Sequence, residues 1–443
     1  MTTLSHVLNK QMSEKAKRTP DSPISFFMKK ALENKDLISL AAGFVDSPSL
    51  PVEPLKDVME ELLADPLAAQ VALQYGTTQG YRPLIDQLVQ HLGKLDHLDQ
   101  PEQHFQPHNV VITTGSQQLL YMLCELMVDP GDIVIVESPS YFVFHSVLVE
   151  HGVRVEQVPM DDEGLRVDAL EDLCDELRER GELHRVKLLY CVDYFQNPTG
   201  LTLSKRRREE LLAFLVRLRQ HHHLFVLEDA AYRELVYEGE NLPSLKSYDK
   251  DNQHVIYAGT FSKPCAPGFK TGYAVLPEGF AEPLLRIKGN HDFGSSHLAQ
   301  NIIHRFLISG KYQAHVAHLR GIYREKRDAL IEALEQHFGD VAGCRWTNPC
   351  GGMFNWLTLP ENVPTSANSE FMDAAVAEGV IYIPGEFCYY SPDNSQPKHE
   401  IRLSFGAAQP NQIRAGIARL RKAYDRVTKK ACESSPTTCS TGM

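Results

Sequence analysis

Between residues 108 and 277 the chain alternates two patterns, and this alternation limits its possible folds more than any other feature. Short apolar runs bounded by turn residues (VVITT, DIVIVES, VKLLYCVD, LFVLED, HVIYAGT, GYAVLP) are separated by helix-like stretches such as SQQLLYMLCELMVD and SKRRREELLAFLVRLRQH. Apolar runs of this length suit strands buried on both faces. The longer amphipathic stretches supply the crossovers that parallel strands need. The expected class is α/β, with a mostly parallel sheet covered by helices. Ligands of such sheets bind beyond the carboxyl ends of the strands, where the loops begin.

After about residue 310 the pattern changes. The stretch YQAHVAHLRGIYREKRDALIEALEQHF predicts a long helix, strands follow near GGMFNWLTL and HEIRLSFG, and a last helix is expected from about 409 to 428. A chain of 443 residues needs two or three domains. The division expected is a large domain over 52–309, a small α+β domain from 1–51 and 310–430, and a disordered tail over 431–443.

Charge and composition exclude several function classes. A formal net charge of −12 argues against nonspecific nucleic-acid binding, which needs a basic face. SKRRREE (204–210) therefore reads as an exposed first helical turn. No run of 18 apolar residues predicts a membrane span, and MTTLSHVLNKQMSEKAKR lacks the features of a signal peptide. A cytoplasmic location is expected. The nine cysteines are scattered without a CxxC pair, which favours reduced thiols over disulfides or a zinc site. No metal is expected, and the HHH at 221–223 reads as a solvated helix end.

Polar residues collect where the apolar runs end. After VVITT come Gly115, Ser116 and Gln117 at a helix start, where free amides and the helix dipole suit a phosphate. After VKLLYCVD comes the turn containing Asn197-Pro198-Thr199-Gly200. After LFVLE comes Asp229, with Tyr232 three residues on. After VIYAG come Thr260, Ser262 and Lys263, and Lys270 follows Pro267-Gly268. Each has an ordinary explanation alone, as an N-cap, a turn or a solvated amine. Together they offer hydroxyls and a helix start for a phosphate, an acid for a buried cation, an amide and a phenol for a phenolic oxygen, and an amine for a carbonyl. Pyridoxal 5′-phosphate needs all of these.

The ordered set NPTG, then Asp-x-x-Tyr after a strand, then T-x-S-K-x-x-x-P-G-x-K-x-G-Y resembles the fold-type I pyridoxal-phosphate enzymes of the class I/II aminotransferase family. The likeness covers about residues 22–428. It implies a large cofactor-binding domain with a seven-stranded sheet, and a homodimer with shared active sites. By this resemblance Lys263 joins the cofactor covalently and later moves a proton, Asp229 faces the pyridine nitrogen, and Asn197 and Tyr232 serve the phenolic oxygen. Tyr141 in ESPSYFVF stacks on the ring. Ser116, Gln117, Thr260, Ser262 and Lys270 hold the phosphate. Tyr75 in LQYGTTQGY reaches the neighbouring subunit's phosphate. Arg402 in HEIRLSFG forks onto the substrate α-carboxylate, with Asn197 beside it, and Gly43 lies in a loop closing over the substrate.

Two positions depart from the family pattern. Lys270 stands where Arg is usual, so a bidentate phosphate contact gives way to a point charge. Relatives acting on 2-aminoadipate or kynurenine carry S-x-I-R near the N-terminus, whereas this chain has Ser22-Pro23-Ile24-Ser25. A distal carboxylate would then need another cation, such as Arg18 or Lys29. The expected reaction is transfer of an amino group from an L-amino acid to a 2-oxo acid in a ping-pong cycle. A lyase or cyclase on the same scaffold is the alternative. A non-enzymatic sensor, as in certain transcription regulators, would need a winged helix for which about twenty preceding residues leave no room.

Overall fold

The computed structural model describes residues 10–21, 36–391 and 393–434. Its strands are β1 (Ile38–Ser39), β2 (Val110–Thr113), β3 (Ile133–Ser138), β4 (Arg154–Asp161), β5 (Gly164–Leu165), β6 (Val186–Cys191), β7 (Phe225–Asp229), β8 (Val255–Thr260), β9 (Gly272–Val275), β10 (Arg345–Trp346), β11 (Phe354–Thr358), β12 (Val380–Ile381), β13 (Ile383–Pro384) and β14 (Glu400–Ser404). The main sheet has the order β2-β9-β8-β7-β6-β3-β4-β5. From β8 through β4 every pairing is parallel, while β9 is antiparallel to both β8 and β2.

All six apolar runs are strands. β4 was invisible to that reading because RVEQVPMD has no continuous apolar run. It is a half-buried strand whose outer neighbour is only the two-residue β5. Seven strands of useful length match the expected number, and β5 is an eighth.

Alternate residues of the central strands feed opposite faces, as the pleat requires. Val134, Val136, Leu188, Tyr190, Leu227 and Ile256 join one apolar cluster, which includes the helix Gly115–Met127. Ile133, Ile135, Leu189, Cys191, Val226 and Val255 join another, under the helices Val167–Glu179 and Lys205–Leu218. The sheet is thus sandwiched. Because β9 is reversed between them, the carboxyl ends of β2, β3, β6, β7 and β8 all meet one edge.

A smaller antiparallel sheet, β10-β11-β14-β13, shares an apolar core with the helices Lys311–Phe338 and Pro410–Ser434, which pack on each other. The last helix extends past its expected end at 428 and includes residues 431–434, which the sequence reading gave to the tail. The rest of the tail, 435–443, lies outside the described residues. Residues 36–50 contact this part of the molecule: β1 pairs with β12, Ser404 donates its N–H to the Leu40 carbonyl, and Lys326 binds Asp46 at 2.5 Å. The helix Glu14–Arg18 departs from the expected grouping. It rests on the helix Phe142–His151 of the larger part, with Lys15 bound to Glu125 and Arg18 donating to the Glu150 carbonyl.

The NPTG loop is pinned from below. Arg208, fully buried, binds the Asp193 carboxylate, donates to the Asp193 carbonyl at 2.9 Å, and lies 3.6 Å from Glu228. Removing a cation from such a cluster leaves two buried carboxylates facing each other. Arg208→Met should therefore lower stability by about 3–5 kcal/mol. A fall in the urea midpoint checks this, and an unchanged midpoint would show the cluster to be neutral.

Candidate active site

Strand register assembles the site. Gly272 of β9 pairs with Thr113 of β2 on one side and Thr260 of β8 on the other. Ser116 and Ser262, two or three residues beyond those partners, therefore emerge at one edge. The approach is close: a Cβ on Gly272 would lie 2.7 Å from the Gly115 carbonyl carbon and 2.8 Å from the Ser116 nitrogen. Only glycine lets β9 pass this near the start of the helix Gly115–Met127. Thr260 Oγ1 donates to Ser262 Oγ at 3.0 Å and accepts the Ser262 N–H at 3.2 Å, which orders the two hydroxyls together. Gln117 and Lys270 lie at the exposed rim. Lys270 has a left-handed backbone, φ 47°, after the short turn Pro267–Phe269.

Lys263 donates from Nζ to the Gly43 carbonyl at 2.9 Å, and the amine lies 6.0 Å from the Tyr232 ring centre. Burial, with Arg402 and Lys270 nearby, pushes its pKa down to about 8, against the pull of Asp229. Asp229 ends β7, buried. Its Oδ2 accepts the Tyr190 hydroxyl at 2.9 Å and its Oδ1 the Ala231 N–H at 3.2 Å. Burial raises its acid to about 6. No ion pair holds it among the described residues.

Arg402, in the middle of β14, is 2% exposed. Its Nη1 donates to Asn197 Oδ1 at 2.9 Å and its Nη2 to the Ala41 carbonyl at 2.6 Å, while its Nε has no acceptor. The guanidinium lies over the rings of Phe354 and Phe142, at 4.6 and 5.4 Å. It pairs with no carboxylate among the described residues, so the structural ion pair that could have explained a buried arginine is not what holds it. Asn197 Nδ2 faces the Tyr232 hydroxyl at 3.5 Å, so this one amide bridges Arg402 and Tyr232. Tyr141 caps the helix Phe142–His151, partly buried, where Asp229 and Arg402 both act on its hydroxyl.

The structure thus gathers Lys263, Asp229, Tyr232, Asn197, Arg402, Gly43 and Tyr141, with Ser116, Thr260 and Ser262 alongside. Tyr75 stands apart from them. It is 83% exposed, with its ring against that of Phe293. Ser25 and Lys29 lie outside the described residues. Arg18 meets the Glu150 carbonyl, near the opposite end of the helix that Tyr141 precedes.

Several partners escaped the sequence reading. Tyr190, Phe142 and Phe354 sit in apolar runs, where they read as core. Gln118, one residue beyond the expected Gln117, accepts the Thr114 N–H at 2.7 Å and the buried Lys288 amine at 3.0 Å, bracing the helix start from behind. Only the unbroken polar run Ser116-Gln117-Gln118 at that helix start hinted at it. Gln196 ties the NPTG loop to Glu137 at 2.8 Å and to the Pro139 carbonyl at 3.0 Å.

The chemistry of this donor set fits pyridoxal phosphate. A buried acid lacks a cation, a buried guanidinium lacks an anion, and a glycine-tight helix start with two ordered hydroxyls faces a lysine whose amine is easily freed. Fold and site together define a fold-type I pyridoxal-phosphate protein. The family pattern described as aminotransferase class I and II matches residues 35–420. The aromatic-amino-acid aminotransferase 1 of Thermococcus litoralis is 36% identical over 95% of both chains. The 2-aminoadipate transaminase of Thermus thermophilus is 32% identical over 89% of this chain and 91% of its own. The crystal structure of Pyrococcus horikoshii kynurenine aminotransferase superposes with a TM-score of 0.86 at 33% identity, covering 96% of this chain and 99% of that one. The chain belongs to the class I and II aminotransferases. It is an enzyme of transamination whose cofactor is pyridoxal 5′-phosphate.

Proposed function

We propose that this aminotransferase takes aromatic or other bulky apolar L-amino acids as donors and returns the amino group to a 2-oxo acid in a ping-pong cycle. The observation that carries this is the buried, carboxylate-free Arg402 set between Phe142 and Phe354. Its fork suits the α-carboxylate common to donor and acceptor. Phe44, half exposed beside Gly43, and Tyr141 add to the aromatic surroundings. The names of the relatives, covering aromatic amino acids, kynurenine and 2-aminoadipate, are in keeping with a donor of this size.

The bound cofactor supplies an aldehyde for the amine and a ring that accepts electrons. The protein's own groups do the rest. Lys263 carries the cofactor and, once free, moves a proton at the substrate α-carbon. Asp229 would supply the charge for the ring nitrogen. Asn197 and Tyr232 would serve the phenolic oxygen, and Tyr141 would pack on the ring. Ser116, Gln117, Thr260, Ser262 and Lys270 would hold the phosphate.

A half-reaction screen tests the substrate reading. Single amino acids are added without an oxo acid, and the loss of the visible absorption band is followed. Phenylalanine, tyrosine and kynurenine should convert the enzyme fastest. Faster conversion by aspartate or glutamate would reject the assignment, and steady release of ammonia would favour elimination.

We further propose a homodimer whose two sites are shared. Val52, Met59, Leu63, Leu67, Val71 and Leu73 are exposed along consecutive helices that lead to Tyr75, and a row of apolar side chains of this kind suits an interface with a second copy. If Tyr75 serves the partner's phosphate, mixing Lys263→Ala chains with Tyr75→Ala chains should restore activity, because each mixed dimer then contains one intact site. Activity no higher than that of the Tyr75→Ala homodimer would show that the sites are not shared.

A further inference from the structure

We propose that Tyr190 is a positioning residue for Asp229: its buried hydroxyl fixes the orientation and charge of that carboxylate, and thereby sets how tightly the apoprotein takes up pyridoxal phosphate. The inference deepens the role given to Asp229 above and rests on it.

Tyr190 lies in β6, beside β7, with Leu227 as its register partner. Asp229 is two residues further along the same edge, on the same side of the pleat. The Tyr190 hydroxyl meets Asp229 Oδ2 at 2.9 Å, while the Ala231 N–H meets Oδ1 at 3.2 Å. Each carboxylate oxygen therefore has its own donor, and rotation of the carboxylate is blocked. The Tyr190 ring is itself clamped. It is fully buried, 4.4 Å from the ring of Phe144, on the helix that starts just after Tyr141. The element that carries Tyr141 thus also holds the residue that holds Asp229. The strand VKLLYC is otherwise an apolar core strand with one half-buried lysine, and phenylalanine would fill the same space. A buried hydroxyl at this place is costly unless it is used, and Asp229 is what uses it.

The groups facing Asp229 come from every neighbouring element: Tyr190 from β6, Asp193 just beyond β6, Lys263 after β8, Tyr141 before its helix, and Tyr232 on the following turn. Burial and Asp193 favour the neutral acid. The Tyr190 hydroxyl is the largest influence against it, followed by the Ala231 N–H and Lys263. Without that hydroxyl the acid keeps its proton to higher pH, and a neutral acid holds a ring cation poorly.

The test compares apoproteins of the wild type, Tyr190→Phe, Tyr194→Phe and Asp229→Ala. The Kd for pyridoxal phosphate is measured by absorbance titration over a range of pH. Tyr194→Phe is the control, since it also loses a buried hydroxyl, one bound to the Leu242 carbonyl at 2.9 Å. Tyr190→Phe should weaken cofactor binding about tenfold at neutral pH. The pH at which affinity is half lost should rise by about one unit. Tyr194→Phe should move neither. A difluorotyrosine placed at position 190 keeps the ring's fit and donates more strongly, so it should shift the same pH downward, which keeps the test open if Tyr190→Phe folds poorly. Binding by Tyr190→Phe that matches Tyr194→Phe at every pH, or no shift with the fluorinated ring, overturns the role of Tyr190 while Asp229→Ala still weakens binding. Unchanged binding by Asp229→Ala would instead reject the reading of Asp229 itself.

Discussion

Lys263→Ala is expected to lower transamination turnover by about 10⁴-fold, because the amine proposed to carry the cofactor is also the one proposed to move the substrate proton. The structure gives that amine few other duties. It makes one hydrogen bond, to the Gly43 carbonyl, and no ion pair among the described residues. The loss should therefore be one of chemistry rather than of folding. Borohydride reduction of the wild-type holoenzyme should attach the cofactor at position 263, and the variant should take up no reduced adduct there. Neighbouring charge also gives the amine a pH signature. Burial, Arg402 and Lys270 all disfavour the ammonium form, so the free amine takes over as pH rises through about 8. Recombination of apoprotein with pyridoxal phosphate should accordingly quicken over that range. Lys270→Met removes one like charge, so the same acceleration should appear at higher pH, together with weaker phosphate binding. A Lys263→Ala enzyme that kept near-normal turnover would end the assignment.

The second large effect concerns Arg402. Arg402→Lys should cut kcat/KM by about 10²–10³-fold for every amino acid and every 2-oxo acid tested. The substrate carboxylate would lose a forked partner, and a lysine amine cannot also reach Asn197 and the Ala41 carbonyl in the geometry seen. Because donor and acceptor share the α-carboxylate, the loss should be nearly independent of side chain, and it should fall mainly on KM. The visible spectrum of the bound cofactor should change little, since Arg402→Lys keeps a positive charge near Lys263 and Tyr141. An effect confined to one class of side chain would place Arg402 in the specificity pocket instead.

The sequence by itself determined six strands of the main sheet, the order of motifs at their ends and the residue types gathered there, Lys263, Asp229, Asn197, Tyr232 and the hydroxyls, together with Arg402 in a strand of the smaller sheet. These were legible because each sits within a few residues of a strand end, where an apolar run gives way to a chemically distinct side chain. The tertiary structure alone decided which core residues serve the site. Tyr190 reaches Asp229 across 39 residues of chain, and Arg402 reaches Asn197 across 205. Those meetings follow from strand register and from the approach of the smaller sheet, and no local pattern encodes them. For the same reason Phe142, Phe354, Gln118 and Lys288 read as ordinary core or surface residues. The charged strand β4 and the attachment of the helix Glu14–Arg18 to the larger part were likewise settled by packing, since half-buried polar segments carry no period strong enough to announce a partner.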